Sequence, residues 1–288
     1  MAWVNAVLQG VLLGGLYALF AAGLSLIFGV MRLVNVAHGD LVVLAAYITL
    51  VVVQALGISP FAAALIVVPL MAAFGYALQR FLLNVTLGKD LLSPLLVTFG
   101  LSVILQNGLL TIFTADSRRL AAGSIETASL SIGNGIGVGV LPLLMFAVAV
   151  AVIAGLELLF ARTSLGRAFR ATSDDAEIAR IMGLDNGHVF AMAMALSAAI
   201  VALAGIFLAV RTNFDPATGP LRLIFGFEAV IIGGLGSLWG TLVGGIVLGI
   251  TQTLAAQIDP GYQVLAGHLV FFLILIVRPR GLFPRMDG

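Results

Sequence analysis

Residues 189–211 read VFAMAMALSAAIVALAGIFLAVR, and the first charged side chain in the run is Arg211. A helix rises about 1.5 Å per residue and the hydrocarbon core of a bilayer is about 30 Å thick, so roughly 20 such residues cross it. The run is apolar on every side, which a helix facing water cannot be. It reads as a transmembrane span. Outward in both directions, comparable runs recur near 5–30, 41–56, 61–84, 91–114, 140–161, 223–257 and 262–277, making about eight apolar blocks. The first block lacks a basic leading segment and runs on into further spans, so it is expected to stay in the mature chain.

Composition agrees. The 288 residues are 61% apolar and 9% charged, whereas soluble domains carry about 25% charged residues. That excludes a soluble globular domain, and the apolar excess excludes a disordered chain. A net charge of +1 without a dense basic tract gives no footprint for nucleic acid. The absence of cysteine removes disulfides, thiolate metal sites and a cysteine nucleophile. The expected fold is all-α and polytopic, one transmembrane domain over 1–288.

Basic residues set the expected orientation, because they concentrate in cytoplasmic segments. Arg162, Arg167, Arg170 and Arg180 lie in the loop 162–188, and Arg278, Arg280 and Arg285 in the tail. Both segments are therefore expected in the cytoplasm. Counting back through the blocks adds Arg80, Lys89 and Arg32 to that side and leaves the N-terminus outside, with Arg118, Arg119, Arg211 and Arg222. Even crossing between the two cytoplasmic segments requires block 223–257 to cross twice as short helices or to re-enter on one side. Its glycines suit a broken element, and 31–40 (MRLVNVAHGD) is a similar interruption in the first half. Such irregular backbone at membrane depth is tolerated where protein or a wet cavity covers it, and a pair of interruptions marks a solute path in many transporters.

The loop 162–188 reads RTSLGRAFRATSDDAEIARIMGLDNGH. Thr172 and Asp175 have capping-box spacing, Ile178, Ile181 and Met182 form an apolar stripe with Ala179, and Gly183 is placed to stop the helix. A helix lying on headgroups favours a Lys/Arg-rich polar face. This one carries Asp174, Asp175 and Glu177 with Arg180, which suits a protein partner better.

Several separated stretches together resemble one family. LGRAFRA at 165–171, followed by Asp174, Asp175, Ala179 and Gly183, is similar to the cytoplasmic coupling loop of branched-chain amino acid ABC transporter permeases. GGLYALFAAGLSLIFGVMRLVNVAHGDL at 14–41 resembles the family's N-terminal signature, GGLGSLWGTLVGG at 233–245 its glycine-rich signature, and RPRGLF at 278–283 its usual ending. The N-x-A-H-G element at Asn35, Ala37, His38 and Gly39 points within the family to the H-type subunit.

The resemblance implies a permease subunit of an ATP-driven importer in the bacterial or archaeal inner membrane, carrying branched-chain amino acids or related small amino or carboxylic solutes. Its implied partners are an M-type permease, two cytoplasmic ATPase subunits and a soluble substrate-binding protein. The sequence has no G-x-x-x-x-G-K-[ST] phosphate loop, since Gly88-Lys89 is followed by Asp90. ATP and magnesium are accordingly expected on the partner ATPases, with no cofactor and no metal on this chain. The implied ATPase contact uses Gly166, Arg167, Arg170, Asp174, Asp175, Glu177, Ile181, Met182 and Gly183.

Other residues keep two readings. Asn35 and His38, with Asp40 close by, serve equally as solute contacts or as groups satisfying a broken helix. Gln106 and Asn107 line a polar path or bond across helices. Glu228 faces a wet path or pairs with Arg222, Glu157 reaches the interface, and His268 stands alone as a hydrogen-bonded core histidine. Gly236, Gly240, Gly244, Gly245 and Gly249 form overlapping four-residue steps for close helix packing, within the chain in preference to, or together with, a subunit contact. The outer loop 115–139, with Asp116, Arg118, Arg119 and Glu126, is either a connector or a docking point for a binding protein. No serine, histidine and carboxylate arrangement suggests an enzyme. The rival functions are an ion-coupled secondary transporter and a passive facilitator.

Overall fold

In a computed structural model of the chain, residues 2–86, 92–133 and 136–283 are described, 131–133 and 136 by backbone alone. Gly88, Lys89, Asp90 and Arg285 lie outside them. In chain order the helices are α1 (Ala2–Met31), α2 (His38–Leu56), α3 (Pro60–Ala77), α4 (Leu92–Phe113), α5 (Ser124–Thr127), α6 (Val140–Arg162), α7 (Ser164–Asp174), α8 (Ala176–Ile181), α9 (Asn186–Arg211), α10 (Gly219–Gly233), α11 (Leu238–Ile258) and α12 (Tyr262–Val277). Strands β1 (Ser129–Gly133) and β2 (Ile136–Gly139) pair antiparallel between α5 and α6.

Among the described residues, seven helices are long and apolar enough to span a bilayer: α1, α2, α3 with its irregular extension to Val85, α4, α6, α9 and α11. The protein is an integral, multi-pass, all-α membrane protein. Helices α1 and α9 form its centre, with 89% and 78% of their most apolar windows buried. Helices α3, α4 and α6 ring them and turn Leu65, Ile104, Ile112 and Leu158 outward, as lipid-facing sides do. The core is built from Leu16, Phe20 and Ile27 of α1, Leu41 and Tyr47 of α2, and Val201 and Leu208 of α9.

The bundle has two distinguishable ends. At one, Gln9 of α1 donates to the Gly137 carbonyl of the hairpin at 3.1 Å. At the other, Ser173 of α7 donates to the Gly29 carbonyl of α1 at 2.8 Å. The Arg80–Asp185 ion pair of 3.2 Å belongs to this α7 end. The tail joins it too, since Leu282 and Phe283 donate backbone bonds to Ile232 and Gly233 at 2.8 and 2.9 Å. Arg118 and Arg119 sit at the hairpin end, bonded to the carbonyls of Phe214 and Val210.

Both interruptions read from the sequence are present, with sharper outlines. Helix α1 ends at Met31, Arg32 takes a positive φ of 52°, and 32–37 run without regular structure. The chain turns back into the bundle there. His38, the first residue of α2, bonds the carbonyl of Phe20 halfway along α1, so α2 starts deep inside. Block 223–257 is two antiparallel helices, α10 and α11, rather than one broken element. Gly234 and Gly236, at φ of 108° and 79°, form the turn between them. Ser237 then caps α11 by accepting from Gly240 N at 3.1 Å. Helix α11, at 21 residues, is a full span and not a short crossing.

Two expectations are corrected locally. Gly236 is not part of a helical packing face, because it occupies that turn. Thr172 and Asp175 do not form a capping box. Phe169 and Thr172 are buried, so the chain stays helical through Thr172 as part of α7. Asp175, extended at φ −150°, is itself the cap of α8, accepting from Glu177 N and Ile178 N at 2.9 Å. The segment 115–139 is also more than a loop, for it holds the hairpin, α5 and an Arg118–Phe214 bridge.

Candidate functional site

Three places concentrate polar or exposed side chains that a lipid-embedded bundle does not otherwise tolerate. The first is at the start of α2. Asn35 is fully buried and its Oδ1 accepts from Ala37 N at 3.0 Å, while Val36 N donates to Thr98 of α4 at 3.2 Å. These bonds satisfy the backbone that the break exposes. Beyond His38 lies Asp40, buried, with one carboxylate oxygen accepting from Ser102 of α4 at 2.5 Å. Ser102 accepts in turn from Gln106 at 3.0 Å. The other oxygen of Asp40, Nδ1 of His38 and Nδ2 of Asn35 have no partner among the described residues.

Asp40 faces the first turn of α10. A Cβ on Gly219 would overlap its carboxylate, and one on Gly39 would overlap the Gly219 carbonyl. Two helices thus begin against each other inside the bundle, with an acid between them. Ser102 is the functional candidate that the sequence did not suggest, and Asp40, noted there only as a neighbour of His38, is central to the cluster. Ser102 and Gln106 are four apart on one face of α4, a spacing that could have grouped them. Asn107 points elsewhere, exposed and bonded to the Val103 carbonyl of its own helix at 2.8 Å.

The second place joins α1, α10, α11 and α12. Glu228 is buried and paired with His268, whose side chain is 39% exposed. His268 is thus hydrogen-bonded as expected, though it is partly exposed and not in the core, and Glu228 takes it as partner instead of Arg222. Phe225 lies between this pair and Tyr17, with ring centroids 6.4 Å from His268 and 5.1 Å from Tyr17. Tyr17 donates to Gln252 at 2.6 Å. A carboxylate in hydrocarbon needs such a partner, since removal from water costs several kcal/mol per ion.

The third place is the surface of the α7 end. Thr163 caps α7 by accepting from Gly166 N at 3.0 Å. A Cβ on Gly166 would overlap the Leu159 carbonyl and reach 2.5 Å from the Phe160 Cα, so the α6–α7 corner closes only around glycine. Phe160 and Phe169 pack across that corner at 5.5 Å. Helix α8 stands outside the bundle, held by its buried Ala179 and by Asn186, which donates to the Ala176 carbonyl at 2.5 Å. Gly183, at φ 90°, ends it. Ile181 and Met182 are 76% and 78% exposed, with Ile178 beside them. Arg167, Asp174, Asp175, Glu177 and Arg180 surround this ridge, all exposed. Arg170 turns inward instead and donates to the Phe160 carbonyl.

The glycines of α11 serve two neighbours. Gly240 and Gly244 meet Gly233 and Ala229 of α10, while Gly245 and Gly249 meet Gly14 and Gly10 of α1. Among the described residues no group of three or more His, Cys, Asp or Glu could hold a metal ion.

Comparison with known proteins follows the same outline. Residues 6–278 match the family described as branched-chain amino acid transport system / permease component. The high-affinity branched-chain amino acid transport system permease protein BraD of Pseudomonas aeruginosa is 28% identical, the match covering 99% of this chain and 97% of its own. LivH of Escherichia coli K12, of the same description, is also 28% identical over 99% of this chain and 96% of its own. LivM of that organism matches more locally, 30% identical over 128 residues, or 43% of this chain and 29% of its own. The match over nearly all of a bundle with seven spanning helices means that this chain belongs to the branched-chain amino acid transport permease family.

Proposed function

We propose that this chain is the H-type half of the membrane pathway of an ATP-driven importer for branched-chain amino acids or related small amino or carboxylic solutes. One transmembrane domain over 1–288 sits in the inner membrane, with the hairpin end outside and the α7 end in the cytoplasm. An M-type permease completes the pathway. Two ATPase subunits on the α7 side bind ATP and magnesium, and a soluble binding protein delivers solute at the hairpin end.

The exposed ridge Ile178–Ile181–Met182 carries this reading. It lies past the end of α6, and its acidic rim disfavours anionic headgroups. Ile181 and Met182 anchor in an ATPase groove, with Arg167, Asp174, Asp175 and Glu177 as its rim. Gly166 and Gly183 fix the corners on either side. Solute passes the broken segment. Asn35, His38, Asp40 and Gln106 line that route, Asn107 lies at its edge toward the partner permease, and Glu228 stands on the opposite wall. A solute ammonium there pairs with the spare oxygen of Asp40.

The test is uptake of labelled leucine by proteoliposomes that hold this chain with its permease, ATPase and binding-protein partners. Uptake that requires both internal ATP and the binding protein, and that persists when the proton gradient is collapsed, is the expected result. Uptake by this chain alone, indifferent to ATP, would replace the importer with a facilitator.

A further inference from the structure

A cavity of about 420 Å³ opens at the α7 end, between α1, the last turns of α6, α7 and the turn into α11. That is the size of many small-ligand sites. Ser25, Glu157, Phe160, Arg170, Ser237 and Trp239 line it. Its charges are unbalanced in a particular way. Glu157, exposed at the cavity mouth, has no hydrogen bond or ion pair among the described residues, and half-buried Arg170 bonds only a carbonyl there, that of Phe160. The Ser25 hydroxyl, on a buried residue, has no partner either. A carboxylate and a guanidinium that do not pair with each other, set with an unpartnered buried hydroxyl in one largely apolar cavity, suit a ligand that carries both charges.

We propose that this cavity binds a small zwitterion, its anionic group against Arg170, its ammonium against Glu157 and its apolar part against Phe160 and Trp239. The site lies toward the α7 end, away from the Asp40 cluster, and it touches the coupling machinery. Gly29 lines the cavity and its carbonyl holds Ser173 of α7. The α6–α7 corner beside it is closed around Gly166. A bound molecule therefore bridges α1, α6 and α7 beside the corner that leads to α8.

The same chemistry has two sources. One is a released amino acid on the α7 side, which rests on the function proposed above. The other is the headgroup of phosphatidylethanolamine, which joins a phosphate to an ammonium and lies at the depth of the half-exposed Trp239.

The experiment uses the complete transporter in nanodiscs, without nucleotide or binding protein. Labelled leucine is titrated in phosphatidylglycerol discs, and retained lipid is read by native mass spectrometry from discs containing phosphatidylethanolamine. Glu157→Gln is expected to weaken the retained zwitterion at least tenfold, Ser25→Ala less, and 4-methylpentanoate, which is leucine without its ammonium, should not compete. Glu157-dependent leucine binding that phosphatidylethanolamine leaves unchanged identifies the amino acid. Glu157-dependent retention of phosphatidylethanolamine identifies the headgroup. If Glu157→Gln changes neither, or if leucine binding is lost only in Asp40→Asn, the proposal is overturned. The lipid arm stays readable even if the transporter imports no amino acid.

Discussion

Gly249 of α11 and Gly10 of α1 meet backbone to backbone. A Cβ on Gly249 would overlap the Gly10 carbonyl, and one on Gly10 would lie 2.5 Å from the Cα of Ile250. One turn along, Gly245 and Gly14 repeat the contact, a Cβ on Gly245 reaching 2.6 Å from the Gly14 carbonyl. Lipid gives helices no hydrophobic reason to associate, so such close packing supplies much of the attraction. Gly249→Val and Gly245→Val should each destabilise the bundle by about 1–3 kcal/mol or more. Gly100→Val, where nothing lies within 4 Å of an added Cβ, should be nearly neutral. Thermal unfolding in detergent ranks the three, and equal midpoints would remove the packing argument.

Asp40 offers an unpartnered oxygen inside the bundle. If it meets the solute ammonium, a charge-assisted hydrogen bond of about 1.5–3 kcal/mol is at stake. Asp40→Asn should then lower uptake efficiency by roughly 10- to 100-fold, with ATPase assembly and the unfolding midpoint little changed. Ser102→Ala should cost less, since Gln106 can move up to the carboxylate. Initial rates in proteoliposomes decide it, and a wild-type rate for Asp40→Asn removes the residue from the route.

The ridge on α8 predicts a separation of stability from coupling. Ile181→Ser with Met182→Ser alters only exposed side chains, so stability should move by no more than about 0.5 kcal/mol. ATP-driven uptake and co-purification of the ATPase subunits should nevertheless fall more than tenfold. Gly183→Val strains a left-handed position and should impair coupling while leaving membrane insertion intact. Normal uptake by either variant would count against α8 as the ATPase contact.

Asp185 supplies a pH dependence. The His188 N–H, 3.2 Å from its carboxylate, holds its pKa below the usual aspartate range, and Arg80 adds to this. The folded-state pKa is depressed, so the stabilisation is present at neutral pH and lost as the pH falls through that depressed value. Asp185→Ala should therefore lower the unfolding midpoint at pH 7 and narrow its gap from wild type as the pH approaches 3. A gap independent of pH would mean that the carboxylate charge contributes nothing there.

Long apolar runs were the most legible feature. The run 189–211 is the body of α9, whose helix starts only three residues earlier at Asn186. The start of α2 was harder, because His38, Gly39 and Asp40 look like a polar interruption when read along the chain. They are helical, and their polarity is met by Phe20 and Ser102 from other helices. Pairings across long separations, such as Asp40 with Ser102 or Glu228 with His268, leave no mark in a single sequence. The sequence between the two strands does carry Asn134-Gly135, a dipeptide favoured in tight turns, which the sequence reading did not use. At 172–175, spacing alone suggested a cap where burial of Thr172 carries the helix onward.

The tie between α1 and α11 also sets an order of assembly. Tyr17 and Gln252, which bond across this contact, are separated by 235 positions. During synthesis α1 enters the membrane before α11, so its small-residue face waits until the intervening residues, 32–237, have followed. Throughout that interval Gly10 and Gly14 lie bare to lipid or to whatever escorts the growing chain. A chain released before α11 emerges keeps α1 with this face uncovered, so truncation upstream of Leu238 leaves an exposed small-residue stripe in the membrane.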